Sequence, residues 1–221
     1  MWCTFRDPSP GIVRAVFPIV ATLSAALAAG PVARAAEPEW RSLFDGRDLG
    51  RWQATPFGGE GEVGVAGDAI RIALGSELSG ITWTGEFPQD EYEIALEARR
   101  DDGFDFFCGL TFPVKDEHCS LIVGGWGGTV VGLSSIDGRD AANNDTTTSE
   151  NFVSNRWYRI RVRVLPERIE CFIDDERVVD QPRAGRRFTV RDEMLPARPL
   201  GIATYATSAR VRHIRWRSLA E

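Results

Sequence analysis

Histidine is almost absent: the 221-residue chain has only His118 and His213. A zinc centre built from several imidazoles is therefore excluded by count. No Gly-x-Ser-x-Gly elbow, no Gly-rich phosphate loop and no dinucleotide fingerprint occurs, so serine-hydrolase and nucleotide-dependent chemistry have no support. Internal repeats, low-complexity tracts and heptads are missing too, and no segment carries a sustained helical period. Acidic side chains outnumber basic ones, for a net charge of −6. That balance argues against nucleic acid and anionic membranes as partners.

The N-terminus reads as an address. Arg6 and Arg14 precede an apolar run from Ala15 to Ala29, which leads to Ala33-Arg34-Ala35. A positive n-region, an apolar h-region and a small-x-small site predict a signal peptide over 1–35 and a secreted or periplasmic product. Removing it takes away Arg6, Arg14 and Arg34 against Asp7, so the remaining chain is two units more acidic. Cys3 leaves with it, and Cys108, Cys119 and Cys171 remain, an odd count for an exported protein. Residues 36–221 are long enough for one domain with a real core.

Within that domain, short β-type runs alternate with Gly, Pro, Asp and Asn clusters. In 92–99, Tyr92, Ile94, Leu96 and Ala98 alternate with Glu93, Glu97 and Arg99. In 157–165, Tyr158, Ile160, Val162 and Val164 alternate with Arg159, Arg161 and Arg163. In 169–174, Ile169, Cys171 and Ile173 alternate with Glu170, Phe172 and Asp174. Period-two alternation means one buried face and one wet face. The expected fold is all-β: a two-sheet antiparallel sandwich, or jelly roll. Trp83 and Trp157 are expected in its core.

A second group of runs has a nearly uncharged outer face. In 105–112, Asp105, Phe107, Gly109 and Thr111 stand opposite Phe106, Cys108, Leu110 and Phe112. After a turn at 113–118, Ser120, Ile122, Gly124 and Trp126 stand opposite Cys119, Leu121 and Val123, and Ser134 follows on the next run. A face that is neither core nor charged points to contact with something, and glycines there allow close approach. Flat aromatics suit the C–H faces of sugar rings, so Phe107, Thr111, Ser120, Trp126 and Ser134 are expected to touch carbohydrate. Cys108 and Cys119 share an inward face on two runs joined by a short turn, which predicts a disulfide between them. The polar stretch 137–155 is long enough to be a working loop bordering that face.

The run Leu43-Phe44-Asp45-Gly46-Arg47-Asp48-Leu49-Gly50-Arg51-Trp52 resembles the opening motif of the 3-keto-disaccharide hydrolase domain family. Tyr92-Glu93-Ile94, Arg156-Trp157-Tyr158, Ile173-Asp174-Asp175-Glu176, Gly201-Ile202-Ala203 and Val211-Arg212-His213-Ile214-Arg215 extend the resemblance over about 40–219. It implies a concanavalin A-like jelly roll and cleavage of 3-keto-glycosides. The strand around 105–110 and the segment 122–128 depart from the family pattern. The paired Glu-x-Asp-x-x-Glu carboxylates of jelly-roll glucanases are absent. A 3-keto sugar needs less, because the ketone acidifies its neighbouring C–H and one base can begin an elimination. Asp105, His118 and Asp137 are the candidate bases, with Asp116, Glu117 and Asp140 nearby. Asp137, Asp140 and Asp145 lack the spacing of a calcium loop, so no cofactor is assigned. A non-catalytic sugar-binding module on the same fold is the alternative.

Overall fold

The computed structural model describes residues 1–3 and 39–220, so the expected signal peptide lies almost wholly outside the described residues. The chain divides between Ala36 and Glu37, and both sheets belong to the C-terminal unit. Its strands run in order β1 (Arg41–Ser42), β2 (Trp52–Ala54), β3 (Val63–Ala66), β4 (Ala69–Ile72), β5 (Leu78–Trp83), β6 (Tyr92–Gly103) and β7 (Cys108–Val114). Then follow β8 (Glu117–Gly125), β9 (Val130–Ser134), β10 (Thr148–Ser149), β11 (Tyr158–Val164), β12 (Arg168–Ile173), β13 (Glu176–Pro182), β14 (Gly201–Tyr205) and β15 (Thr207–Ser218). A 3-10 helix, Asp192–Ala197, precedes β14.

One sheet has the order β13-β12-β11-β6-β15-β4-β3, with β1 on β15. The other has the order β10-β9-β8-β7-β14-β5-β2. All pairings are antiparallel. The alternation in the sequence sets which face goes inward. Tyr92, Ile94, Leu96, Ile160, Val162 and Cys171 from the first sheet meet Cys108, Leu110, Phe112, Leu121 and Val131 from the second in one core. Burying such side chains stabilises by roughly 1.5–3 kcal/mol each. The Tyr92 hydroxyl, fully enclosed, donates to the Pro113 carbonyl at 2.6 Å, so its burial leaves no polar atom stranded. At the β12–β13 hairpin Asp174 and Asp175 both take left-handed φ, 50° and 71°, as a two-residue turn between twisted strands requires.

Several expectations need correcting. Cys108 stands opposite Val123 and Cys119 opposite Phe112. Four residues of strand, about 13 Å, separate the two cysteines, beyond disulfide reach. Sharing a face did not make them neighbours, and all the cysteines are free. Burial pushes both thiols up to about 12. Trp157 is not core: it lies on the outer face, with Arg99 and Arg212 over its ring at 5.2 and 4.2 Å. Trp83 does pack partly against the core, 5.3 Å from the Trp52 ring.

Candidate functional site

The uncharged face of the second sheet is partly covered by the chain itself. Val190, Met194 and Ala197, from the segment around the 3-10 helix, form a small second core with Leu78 and Ala203. A Cβ on Gly201 would lie 2.4 Å from the Ala197 carbonyl oxygen, so glycine is what lets this segment sit on the sheet. At the other side, the 137–155 stretch folds over β9 by its own hydrogen bonds. The Asn144 amide donates to the carbonyls of Leu133 and Asp140, each at 2.7 Å, and Thr146 Oγ1 accepts from Leu133 N–H at 2.9 Å. The stretch is thus a tied flap rather than a free loop, and part of the expected partner of the neutral face is intramolecular.

Between these covers a cavity of about 240 Å3 remains. Ser120, Ile122 and Ser134 form its floor, and Asp105, Phe106, Trp126, Tyr205, Leu78, Arg191, Glu193 and Met194 line the rest. The floor belongs to a row of hydroxyls, because Thr111 stands opposite Ser120 and Ser120 opposite Ser134. Thr111 and Ser120 bond each other at 2.8 Å. Ser134 is 1 % exposed, and its Oγ has no protein partner. An unpaired buried hydroxyl costs free energy unless something satisfies it.

Asp105 is 8 % exposed. One carboxylate oxygen accepts the Phe106 N–H and the other the Gly127 N–H, both at 2.8 Å. Its own backbone is pinned twice by the Thr207 hydroxyl. Arg100 lies close by, 7 % exposed, donating to the Gly128 carbonyl at 3.3 Å and standing 5.4 Å over the Phe107 ring. Burial lowers the pKa of Arg100, and the charge of Asp105 works against that. Together the two residues grip the 124–128 turn from both sides. That turn carries Trp126 at φ 49°, 42 % exposed, at the cavity rim.

Of the sequence candidates, Asp105, Ser120, Trp126 and Ser134 are brought together here. Thr111 is enclosed behind Ser120 and touches the cavity only through it. Phe107 is a correction: it is fully buried in the core, 5.1 Å from the Phe152 ring. Regular strand begins only at Cys108, and the bend before it breaks the alternation, putting Phe106 outside and Phe107 inside. Phe106 lies over Gly109 and stacks on Tyr205 with centroids 6.0 Å apart. His118 is not in the turn but on β8, and it does not line the cavity. Partial burial, then the nearby Arg198, hold its pKa below the usual histidine value. Asp137 is elsewhere: it accepts from the Arg187 N–H at 2.9 Å and pairs with Arg186 at 2.8 Å.

Arg191 and Glu193 were missed by sequence reasoning. Arg191 precedes the 3-10 helix and Glu193 lies in its first turn, far in sequence from the floor they face, and Arg191 joins Glu193 and Asp140 at 2.5 and 3.3 Å. The only local hint was an acidic pair, Asp192 and Glu193, opening a short helix. Among the described residues no cluster of three or more His, Cys, Asp or Glu could hold a metal ion.

The two antiparallel sheets define a jelly-roll domain, and one of its sheets carries an aromatic-walled, hydroxyl-floored cavity. Residues 39–217 match the 3-keto-alpha-glucoside-1,2-lyase-like domain, and the chain belongs to that carbohydrate-active family. Among curated proteins none matches it in sequence. Solved structures share the fold at low identity. A Parabacteroides distasonis protein described as a glycosyl hydrolase is 11 % identical, with TM-score 0.53 over 82 % of this chain and 94 % of that one. The Crh5 transglycosylase, solved with NAG, is 14 % identical, with TM-score 0.56 over 85 % and 86 %. Domain 4 of AbnA, a GH43 extracellular arabinanase from Geobacillus stearothermophilus solved with arabinotriose, is 14 % identical, with TM-score 0.50 over 77 % and 84 %.

Proposed function

We propose that the cavity binds one ring of a 3-keto-glycoside and that Asp105 begins its cleavage by elimination. The observation that carries this reading is the enclosed Ser134 hydroxyl, unpartnered and lining the same space as a carboxylate. Asp105 takes the proton from the carbon between the ketone and the anomeric carbon. The electron pair moves onto the ketone oxygen, which Ser134 Oγ–H stabilises as an oxyanion. Collapse of that enolate reforms the ketone, makes a carbon–carbon double bond and breaks the glycosidic C–O bond. The leaving oxygen takes the proton back from Asp105, and water then adds across the double bond. Phe106, Tyr205 and Trp126 supply flat apolar walls for the ring.

A second reading, a non-catalytic sugar-binding module, is favoured by one fact: both Asp105 oxygens already accept backbone N–H groups. Incubating the purified protein with 3-keto-trehalose and with trehalose, and following sugar release, separates the two. Release from the keto sugar alone, lost in Asp105→Asn, supports the enzyme. Binding of either sugar without release supports the module and overturns the enzyme. The basic and apolar leader supports export; N-terminal sequencing of the mature protein tests cleavage after Ala35, and an intact leader would refute it.

A further inference from the structure

We propose that the outer face of the charged sheet carries a second binding groove, for the carboxylates of an acidic polysaccharide. The inference does not rest on the reading of the cavity, which lies on the other sheet. Although the chain is acidic overall, β11 (YRIRVRV) and β15 (TSARVRHIRWRS) supply arginine and no carboxylate to this face. Carboxylates come only from neighbouring elements, and they are spent on particular partners. Glu93 takes Arg161 and Arg217, Glu97 takes Arg212, and Asp175 takes Arg159. Arg215 is exposed, and its guanidinium lies over the Trp40 ring with no side-chain hydrogen bond or carboxylate partner among the described residues. An uncompensated guanidinium on an acidic molecule concentrates positive potential locally.

The shape fits the charge. A groove of about 620 Å3 runs over Ala95, within the range of roughly 300–1,000 Å3 usual for ligand clefts. Ala95 is the small residue between Glu93 and Glu97 on the outer row, and its neighbours in register are Arg161 and Arg215. Two aromatics brace those arginines: Phe172 lies 3.9 Å from the Arg161 guanidinium, and Trp40 lies 4.7 Å from that of Arg215. Register shifts at Cys171/Phe172 and at Arg212/Arg215 bound the groove on two sides. The second brings in His213 at φ 53°, with Nδ1 3.3 Å from Glu97. Bulges commonly re-aim side chains at binding sites. Guanidinium forks match carboxylates, and ring faces beside them match the C–H faces of a pyranose. A uronate chain offers both at every residue, which a phosphate backbone does not.

Calorimetric titration with tetragalacturonate, its methyl ester and a single-stranded oligodeoxynucleotide of equal charge tests this. Expected is binding of the acid alone, weakening with salt, at least tenfold weaker in Arg215→Ala and unchanged in Ser134→Ala. Equal binding of the methyl ester, equal binding of the oligonucleotide, or no binding of the acid overturns the proposal. Loss of acid binding in Ser134→Ala with Arg215→Ala unaffected would also overturn it, by placing the acid in the cavity. Loss of keto-sugar cleavage leaves this proposal standing, so the two readings fail separately.

Discussion

The two outer faces of the sandwich solve the same problem in opposite ways. On the first sheet, charged side chains meet water in interlocking pairs. Glu93, with no exposed surface of its own, is enclosed by Arg161 and Arg217 at 2.8 and 2.7 Å. On the second sheet the outer row is serine, threonine, glycine and isoleucine, and the chain folds back to cover it from two directions. The gap left between those covers holds a stranded hydroxyl, a pinned carboxylate and three aromatic rings. A neutral face thus indicates a lid as readily as a ligand. What distinguishes them is an unsatisfied polar atom.

The sharpest way to break this contrast is to remove the proposed base. Asp105→Asn should lower turnover of a 3-keto-glycoside by roughly 10²–10⁴ if Asp105 is a general base. The amide oxygen keeps one of the two backbone N–H groups while the NH2 faces the other, so some stability is lost, and circular dichroism checks that the variant assayed is folded. Wild-type turnover in a folded variant would remove Asp105 from the mechanism and require a different base.

Next in size is the pair of aromatics that sequence reasoning treated alike. Phe107 lies in the core, and its truncation to alanine should destabilise by about 3–5 kcal/mol. Trp126 stands at the rim, so Trp126→Ala should leave the melting temperature nearly unchanged and weaken sugar binding instead. Its expected binding loss is about 1.5–3 kcal/mol, the scale for burying a large apolar side chain. If the two variants exchanged phenotypes, the placement of the alternation break at 106–108 would be wrong.

That break marks where the sequence stopped being readable. The strands β6, β11 and β12 followed from period two alone, because each keeps regular pleating along its charged-out, apolar-in stretch. Cys108–Cys119 failed because alternation gives the face and not the register. Phe107 failed because a bend preceding β7 flips parity by one residue. Ser120, Ser134 and Trp126 were visible as gaps in charge. Arg191 and Glu193 had no such signal, since only the fold-back of the 189–200 segment brings them to the floor.

On the charged face, Glu93→Gln should be the informative change. Removing its charge leaves Arg161 and Arg217 repelling each other across a buried amide. Breaking fully buried pairs costs about 3–5 kcal/mol, and these arginines keep some solvent, so about 2 kcal/mol is expected. Urea denaturation measures it. A neutral result would mean that hydration of the arginines replaces the carboxylate without loss.

The smallest effect should come from Asp137, a carboxylate that sequence reasoning placed beside Asp105 as a candidate base. It lies outside the cavity and is already committed: the Arg187 N–H, then Arg186, hold its pKa below the usual aspartate value of 3.8. A carboxylate depressed in this way stabilises the fold above its unfolded pKa. That contribution is lost as pH falls through the lower folded value, so it matters only in acid. Asp137→Asn should therefore leave turnover and its pH profile near neutrality unchanged. The variant should also lose less stability than wild type between pH 5 and 2, the window where Asp137 would have taken up its proton. Parallel urea midpoints across that window, with turnover at pH 7, check both halves. A fall in turnover as large as that of Asp105→Asn would mean that catalysis reaches beyond the cavity to the 137–145 flap.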